Sequence, residues 1–285
     1  MNEQWTRACH DLGNRNISFV LATILETKGS TPRNCESKMV VTADDTFDSI
    51  GGGHLEYETT RLARELLSSG ESQHRIENFS LGPSLGQCCG GYVKVLFEIF
   101  PSTEFNIVVF GGGHVATALH KILRELPCHV RWVDSREAFT AKHEHTVEYV
   151  EAPVDVVQHA PNQSDYLIMT HDHSLDYALT EAILKRHGEL NDVNFCGLIG
   201  SRSKAAKFRK RLAFKGFDAN LIGMLTCPIG RTDIPGKRPM EIAVSISSDL
   251  LARRAQDQKG VSPDYQTKPI KSATVEQLSA SKKRQ

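Results

Sequence analysis

The stretch NIVVFGGGHVAT, Asn106 to Thr117, narrows the possible folds more than any other part of the chain. Asn106–Phe110 reads as a short strand, and Val115–Glu125 reads as a helix. Between them, Gly111-Gly112-Gly113-His114-Val115-Ala116 fits G-x-G-x-x-A. A strand before and a helix after separate a dinucleotide-type fingerprint from a chance run of glycines. Asp134 closes the next apolar run, His129–Val133, close to the spacing at which an acid meets a ribose hydroxyl. The helix start offers free backbone N–H groups and the positive end of the helix dipole, which suits a phosphate. The alternative is a tight turn that binds nothing. Strand, glycines, helix and acid together favour an anion site, but any phosphorylated ligand could use this geometry, NAD included.

The same pattern continues to the C-terminal side. Strands are expected at Thr146–Val150, Asp165–Met169 and Phe195–Ile199, and helices at Leu175–Arg186, Ser203–Lys215 and Met240–Leu251. Continuous apolar strands alternating with helices predict a buried parallel sheet. Before it, Ile17–Thr27, Lys38–Thr42 and Gly91–Phe100 read as strands and Leu55–Leu67 as a helix, with Pro101-Ser102-Thr103 as linker. The fold class is therefore α/β. A C-terminal Rossmann-like parallel-sheet domain (104–252) follows a smaller N-terminal α+β domain (1–100). Residues 253–285 are polar and Lys-rich and read as a disordered tail.

Composition excludes some partners. Lys plus Arg and Asp plus Glu both number 34 in 285 residues, so no global basic field points to nucleic acid or a membrane surface. The N-terminus lacks the basic and apolar regions of a signal peptide, and no apolar run is long enough to span a bilayer. Seven cysteines without framework spacing fit a reducing, cytoplasmic setting.

Three further places attract attention. Gly51-Gly52-Gly53-His54 repeats the letters of the first motif, but Glu56 and Glu58 follow at once and already satisfy the helix dipole. That turn is either close backbone packing, or a surface where Gly52 and Gly53 lie against a ligand held mainly by the other domain. The segments His171-Asp172-His173-Ser174 and Gly200-Ser201-Arg202-Ser203-Lys204 follow strands, at the edge where open α/β sheets bind ligands. His171 and His173 lack an evident third metal ligand, while Asp172 or Ser174 can cap a helix. Arg202 and Lys204 offer a second anion contact or lie solvated. Cys88-Cys89, in a glycine-rich turn, are either small buried residues or soft thiolates facing a metal-bearing ligand.

Six segments together resemble the xanthine dehydrogenase accessory protein family (XdhC/CoxI). They are ETKGSTPR…SKMVV (Glu26–Val41), SIGGGHLE (Ser49–Glu56), LGPSLGQCCGG (Leu81–Gly91), VVFGGGHVATAL with VRWVDSR (Val108–Arg136), MTHDHSLD…GLIGSRSK (Met169–Lys204) and CPIG…RPMEIAVSI (Cys227–Ile246). Glu36 departs from the glycine expected there. The resemblance implies a non-enzymatic chaperone of the molybdenum cofactor. Such a carrier shields the cofactor while a cysteine desulfurase helps exchange an oxo ligand for sulfur, then delivers it to xanthine dehydrogenase. A phosphate would sit at Gly111, Gly112, Gly113, His114 and Ala116. Asp134 and Arg136 would meet polar edges, with His171, Asp172, Gly200, Ser201 and Arg202 nearby, and Cys88 or Cys89 would approach the metal. A homodimer is compatible with this role. The other classes left open are an NAD(P)-dependent oxidoreductase, for which no proton-transfer set is evident, and a nucleotide-sensing module.

Overall fold

The computed structural model describes residues 4–29, 33–70, 74–81, 91–143 and 146–257. The N-terminal sheet holds β1 (Phe19–Lys28), β2 (Lys38–Val41), β3 (Thr46–Asp48), β4 (Arg75–Leu81) and β5 (Gly91–Phe100), in the antiparallel order β3-β2-β1-β5-β4. Helix α1 (Gln4–Asn14) packs on one face and α2 (Gly53–Ser69) on the other. Val20, Ala22 and Ile24 share a core with Leu55, Ala63 and Leu66 of α2, whereas Phe19 and Leu21 meet Ala8 and Leu12 of α1. Cover on both faces is why β1 reads as an unbroken apolar run rather than an alternation.

Sequence reasoning missed α1, β3 and β4. A signal for α1 was present, since Trp5, Ala8, Cys9 and Leu12 recur at i, i+3, i+4 and i+7, and all four pack in one cluster. Glu36 stands where the resemblance leads one to expect glycine, and its φ is 72°, in the left-handed region. Its N–H reaches the Ile24 carbonyl at 2.9 Å, while Ile24 N–H donates to the Ser37 carbonyl at 3.0 Å. The turn thus needs a conformation that glycine adopts freely and glutamate adopts at a cost of about 1 kcal/mol.

The C-terminal sheet is parallel throughout. It holds β6 (Asn106–Phe110), β7 (His129–Asp134), β8 (Glu148–Tyr149), β9 (Ser164–Ile168), β10 (Val193–Leu198) and β11 (Leu225–Thr226), in the order β11-β10-β9-β6-β7-β8. Helices α3 (His114–Leu123) and α9 (Pro239–Asp257) cover one face, and α4 (Glu137–Thr140) follows β7. The other face carries α5 (Pro153–His159), α6 (His173–Leu190), α7 (Arg202–Phe214) and α8 (Ala219–Gly223). Ile107 and Val109 point to Leu119 of α3 and Ile246 of α9, and Val108 and Phe110 point to Val157 of α5 and Ile183 of α6. This is the Rossmann arrangement the alternating pattern predicts.

Two expectations change in detail. The strand expected over Thr146–Val150 shrinks to the exposed edge pair Glu148–Tyr149. The last helix, expected to end at Leu251, continues to Asp257, so the first residues of the polar tail are helical. Residues 258–285 lie outside the described residues. Among the described residues, no helix is long and apolar enough to cross a membrane.

Candidate functional site

The chain leaves β6 toward β7 on one side, and β9 pairs on the other, so the sheet reverses its winding between β6 and β9. Ligands of open α/β sheets bind at such a point, outside the carboxyl ends of the strands. Only a small crevice lies there, and Gly111, Asp134, Thr170 and His171 are among its lining residues.

The three glycines above it have different reasons to be glycine. Gly111 has φ 102°, and a Cβ on it would lie 2.5 Å from the Met169 carbonyl oxygen. A Cβ on Gly112 would lie 2.0 Å from the ring of Phe139. The protein's own packing therefore accounts for both. Gly113 is different: its φ of −78° and ψ of 175° suit any residue, and a Cβ there would meet nothing within 4 Å. It is the N-cap of α3 yet brings no side chain to the helix start, and the first turn holds no acidic residue. The opening N–H groups of α3 thus face an uncrowded, uncapped space, as an anion requires.

The loop is braced from behind. Trp132 donates its indole N–H to the Gly111 carbonyl at 2.9 Å, and Gly111 N–H donates to Val133 at 2.8 Å. Asp134, 3 % exposed, accepts from Gly112 N–H at 2.5 Å and from Arg136 N–H at 2.8 Å. The Arg136 guanidinium adds bonds of 2.9 and 2.7 Å to its two oxygens. Four donors fill the acceptor sites of one carboxylate. Asp134, expected to meet a ribose or pterin edge, is therefore occupied in holding the glycine loop. Arg136 is turned back onto Asp134 and stacks on Phe139, with its guanidinium carbon 5.1 Å from the ring centre.

Burial alone would raise the Asp134 carboxyl, but the Arg136 side chain, the Arg136 backbone and Gly112 together hold it below the ordinary aspartate value. A carboxyl depressed in the folded state contributes stability above its unfolded pKa and loses it as pH falls through the folded one. Asp134→Ala should lower unfolding stability by about 1–3 kcal/mol, because the Gly112 N–H loses its buried partner. Asp134→Asn should also flatten the acid limb of the stability curve below the ordinary aspartate pKa. Urea titrations at a series of acidic pH values check this, and curves that overlay wild type would remove the bracing role.

The neighbouring loops are tied together by a pair that sequence reasoning did not assign. Asp176 is fully buried and accepts from Thr170 N–H at 3.2 Å and from Thr170 Oγ1 at 2.7 Å. The Lys204 ammonium forms an ion pair with Asp176 and donates to the Ile199 carbonyl at 3.0 Å. Lys204, read as an anion contact or a solvated charge, instead joins the β9–α6 loop to the β10–α7 loop. A signal existed for Asp176, which shares the spacing i, i+3, i+4, i+7 with the buried Leu179, Thr180 and Ile183.

The remaining site residues divide by role. Asp172 caps α6 through Ser174 N–H at 2.7 Å, and Ser201 caps α7 through Lys204 N–H at 3.2 Å. A Cβ on Gly200 would lie 2.6 Å from the Lys204 side chain. His114, His171, His173 and Arg202 are exposed, and Ala116 is buried under the loop. Among the described residues, no group of three or more His, Cys, Asp or Glu side chains is arranged to hold a metal ion. Cys227, just past β11, is buried with its Sγ 3.9 Å from the Ser201 carbonyl, and burial pushes its thiol pKa up.

The N-terminal GGGH is built in the opposite sense. Gly51, Gly52 and Gly53 have φ of 130°, 73° and 64°, a run open to glycine alone. Glu56 accepts from Gly52 N–H at 3.0 Å and from Ser49 Oγ at 2.5 Å, so the start of α2 holds its own carboxylate. Gly52 and Gly53 start α2, which packs on the N-terminal sheet, whereas the residues lining the crevice between β6 and β9 all come from the C-terminal domain. Cys88 and Cys89 lie outside the described residues.

Comparison with known proteins follows the same division. The XdhC Rossmann domain model matches residues 107–250, and the XdhC and CoxI family model matches residues 13–80. The uncharacterized protein YqeB of Escherichia coli (strain K12) is 25% identical over 249 residues, covering 84% of this chain and 44% of that protein. The chain thus spans less than half the length of this curated relative. A crystal structure described as a xanthine dehydrogenase from Bacillus halodurans aligns at a TM-score of 0.47 and 18% identity, covering 90% of this chain and 97% of that one. One matched region takes in the self-capped Gly51–Gly53 turn, and the other takes in the uncapped Gly111–Ala116 loop with the Asp176–Lys204 tie beneath it. The chain belongs to the XdhC and CoxI family.

Proposed function

We propose that the chain is an accessory protein that carries the molybdenum cofactor to xanthine dehydrogenase. The observation that carries this reading is the start of α3, with uncapped N–H groups, no acidic residue and open space at Gly113. Those features fit a phosphate monoester on a pterin. They fit a dinucleotide less well, because the acid that would clamp a ribose diol is consumed by Gly112 and Arg136. Membership of the XdhC and CoxI family supports a role in maturing xanthine dehydrogenase.

In this reading the phosphate lies at Gly111–Ala116, with His114, His171 and Arg202 as exposed polar groups around it. Asp134 and Arg136 position the loop. Gly52 and Gly53, with Cys88 or Cys89 as soft ligands, would cover the metal end. When bound, the cofactor would supply the molybdenum redox chemistry that xanthine dehydrogenase needs, and a cysteine desulfurase would be the partner in its sulfuration. The chain's own part is to hold the phosphate and keep water out. The setting is the reducing cytoplasm, where its thiols stay free.

The test is to purify the chain from a host that makes the cofactor, then measure released pterin by fluorescence and molybdenum by elemental analysis. Stoichiometric pterin is expected. Bound NAD(P) without pterin would replace this reading by an oxidoreductase, and the absence of both would leave a nucleotide-sensing module.

A further inference from the structure

Helix α7 and the residue that follows it, 202–215, carry seven basic residues and no acidic one, in a chain whose charges balance only when these seven are counted. Four of the seven are turned to partners within the protein. Lys204 pairs with Asp176, Arg209 donates to the Leu225 carbonyl at 2.9 Å, and Lys215 pairs with Glu181 at 2.6 Å. Arg211 stacks on Tyr177 at 3.8 Å. Arg202, Lys207 and Lys210 are exposed and have no hydrogen-bond or ion-pair partner among the described residues.

Ala205, Phe208 and Leu212 form the buried stripe of α7. At 100° per residue the opposite face presents Ser203, Ala206, Lys207, Lys210 and Phe214. Phe214 is 93 % exposed, the most open large apolar side chain among the described residues. An aromatic ring ringed by cations and small residues is the composition of an interface anchor, since small neighbours let a partner's backbone approach and the ring supplies desolvated area. Among the described residues, nothing packs over it.

We propose that this face of α7 docks the protein that receives the cofactor, through an acidic surface with an apolar pocket for Phe214. The inference rests on the carrier reading above. The helix starts at Ser201–Arg202, on the sheet edge that bears the ligand site, so a partner seated on Phe214 lies about 20 Å along the helix from that edge. Lys207 and Lys210 steer an acidic surface onto the helix, and Arg202 stands where the docked partner meets the site. Nucleic acid is disfavoured because three free cations on one helix make no extended basic track. A lipid surface is disfavoured because a single ring among Ala and Ser offers little apolar area to insert.

The test measures the affinity of the full chain for cofactor-free xanthine dehydrogenase over a range of salt. Phe214→Ala should weaken binding about tenfold or more. The K207E/K210E double variant should weaken it by a similar factor and flatten its salt dependence. Pterin retention should be unchanged in both. Variants that bind the apoenzyme like wild type overturn the proposal. So does a loss seen only on phosphatidylserine vesicles or duplex DNA. A wild-type chain that retains pterin but does not bind the apoenzyme also sinks the docking surface while leaving the carrier reading standing. A chain that binds the apoenzyme through α7 yet holds no pterin does the reverse.

Discussion

A Gly113→Asp variant is expected to fold as wild type does and to lose its ligand. The backbone at Gly113 is extended, and a Cβ there meets nothing, so the fold has no objection to a side chain. The new carboxylate would stand in front of the uncapped N–H groups of α3. It would compete for them and repel a phosphate at a few ångströms, so retention of phosphorylated pterin should fall about 100-fold or more. Gly111→Ala should behave in the opposite way. Its Cβ would strike the Met169 backbone from a φ of 102°, and the chain should lose about 2–5 kcal/mol of stability. Denaturant unfolding together with pterin retention separates the two. A folded Gly113→Asp protein with unchanged pterin content would remove this loop from the site.

Lys204→Met should strongly destabilise the sheet edge. It leaves the fully buried Asp176 carboxylate with only the Thr170 donors. Breaking a buried ion pair from one side costs about 3–5 kcal/mol, because the remaining charge stays out of water without compensation. Asp176→Asn in the same chain should recover much of that loss. The unfolding free energies of the two single variants and the double variant form a cycle that measures the coupling. If the Lys204→Met protein unfolds at the wild-type denaturant midpoint, the pair does not hold the two loops. The loss should extend to the ligand, since Thr170 and Ser201 sit on the loops this pair joins.

The glycine loop, the parallel sheet and the order of its helices were legible because they rest on local rules. An apolar run buried on both faces reads as a strand, and a glycine run between strand and helix reads as a phosphate turn. The short extent of the edge strand at Glu148–Tyr149, and the α1 helix, were less legible. The first has little apolar content to mark it, and the second carries its four apolar residues among charged ones.

Side-chain roles divided differently. Asp134 stood at the right distance for a ribose acid, and sequence spacing placed it there correctly. Only the folded chain brings Gly112 N–H and the Arg136 guanidinium onto its two oxygens and turns it from a ligand contact into a brace. Lys204 read as a free cation because its partner is 28 positions away, with the rest of α6 and all of β10 between them. The two GGGH turns share four letters, yet Glu56 folds back to fill one helix start while Gly113 leaves the other open. The sequence by itself determined the alternating strands and helices of the C-terminal domain, since propensity and burial pattern act over a few residues. The tertiary structure decided which polar groups remain available to a ligand, since a hydrogen bond between distant residues depends on where the whole chain places them.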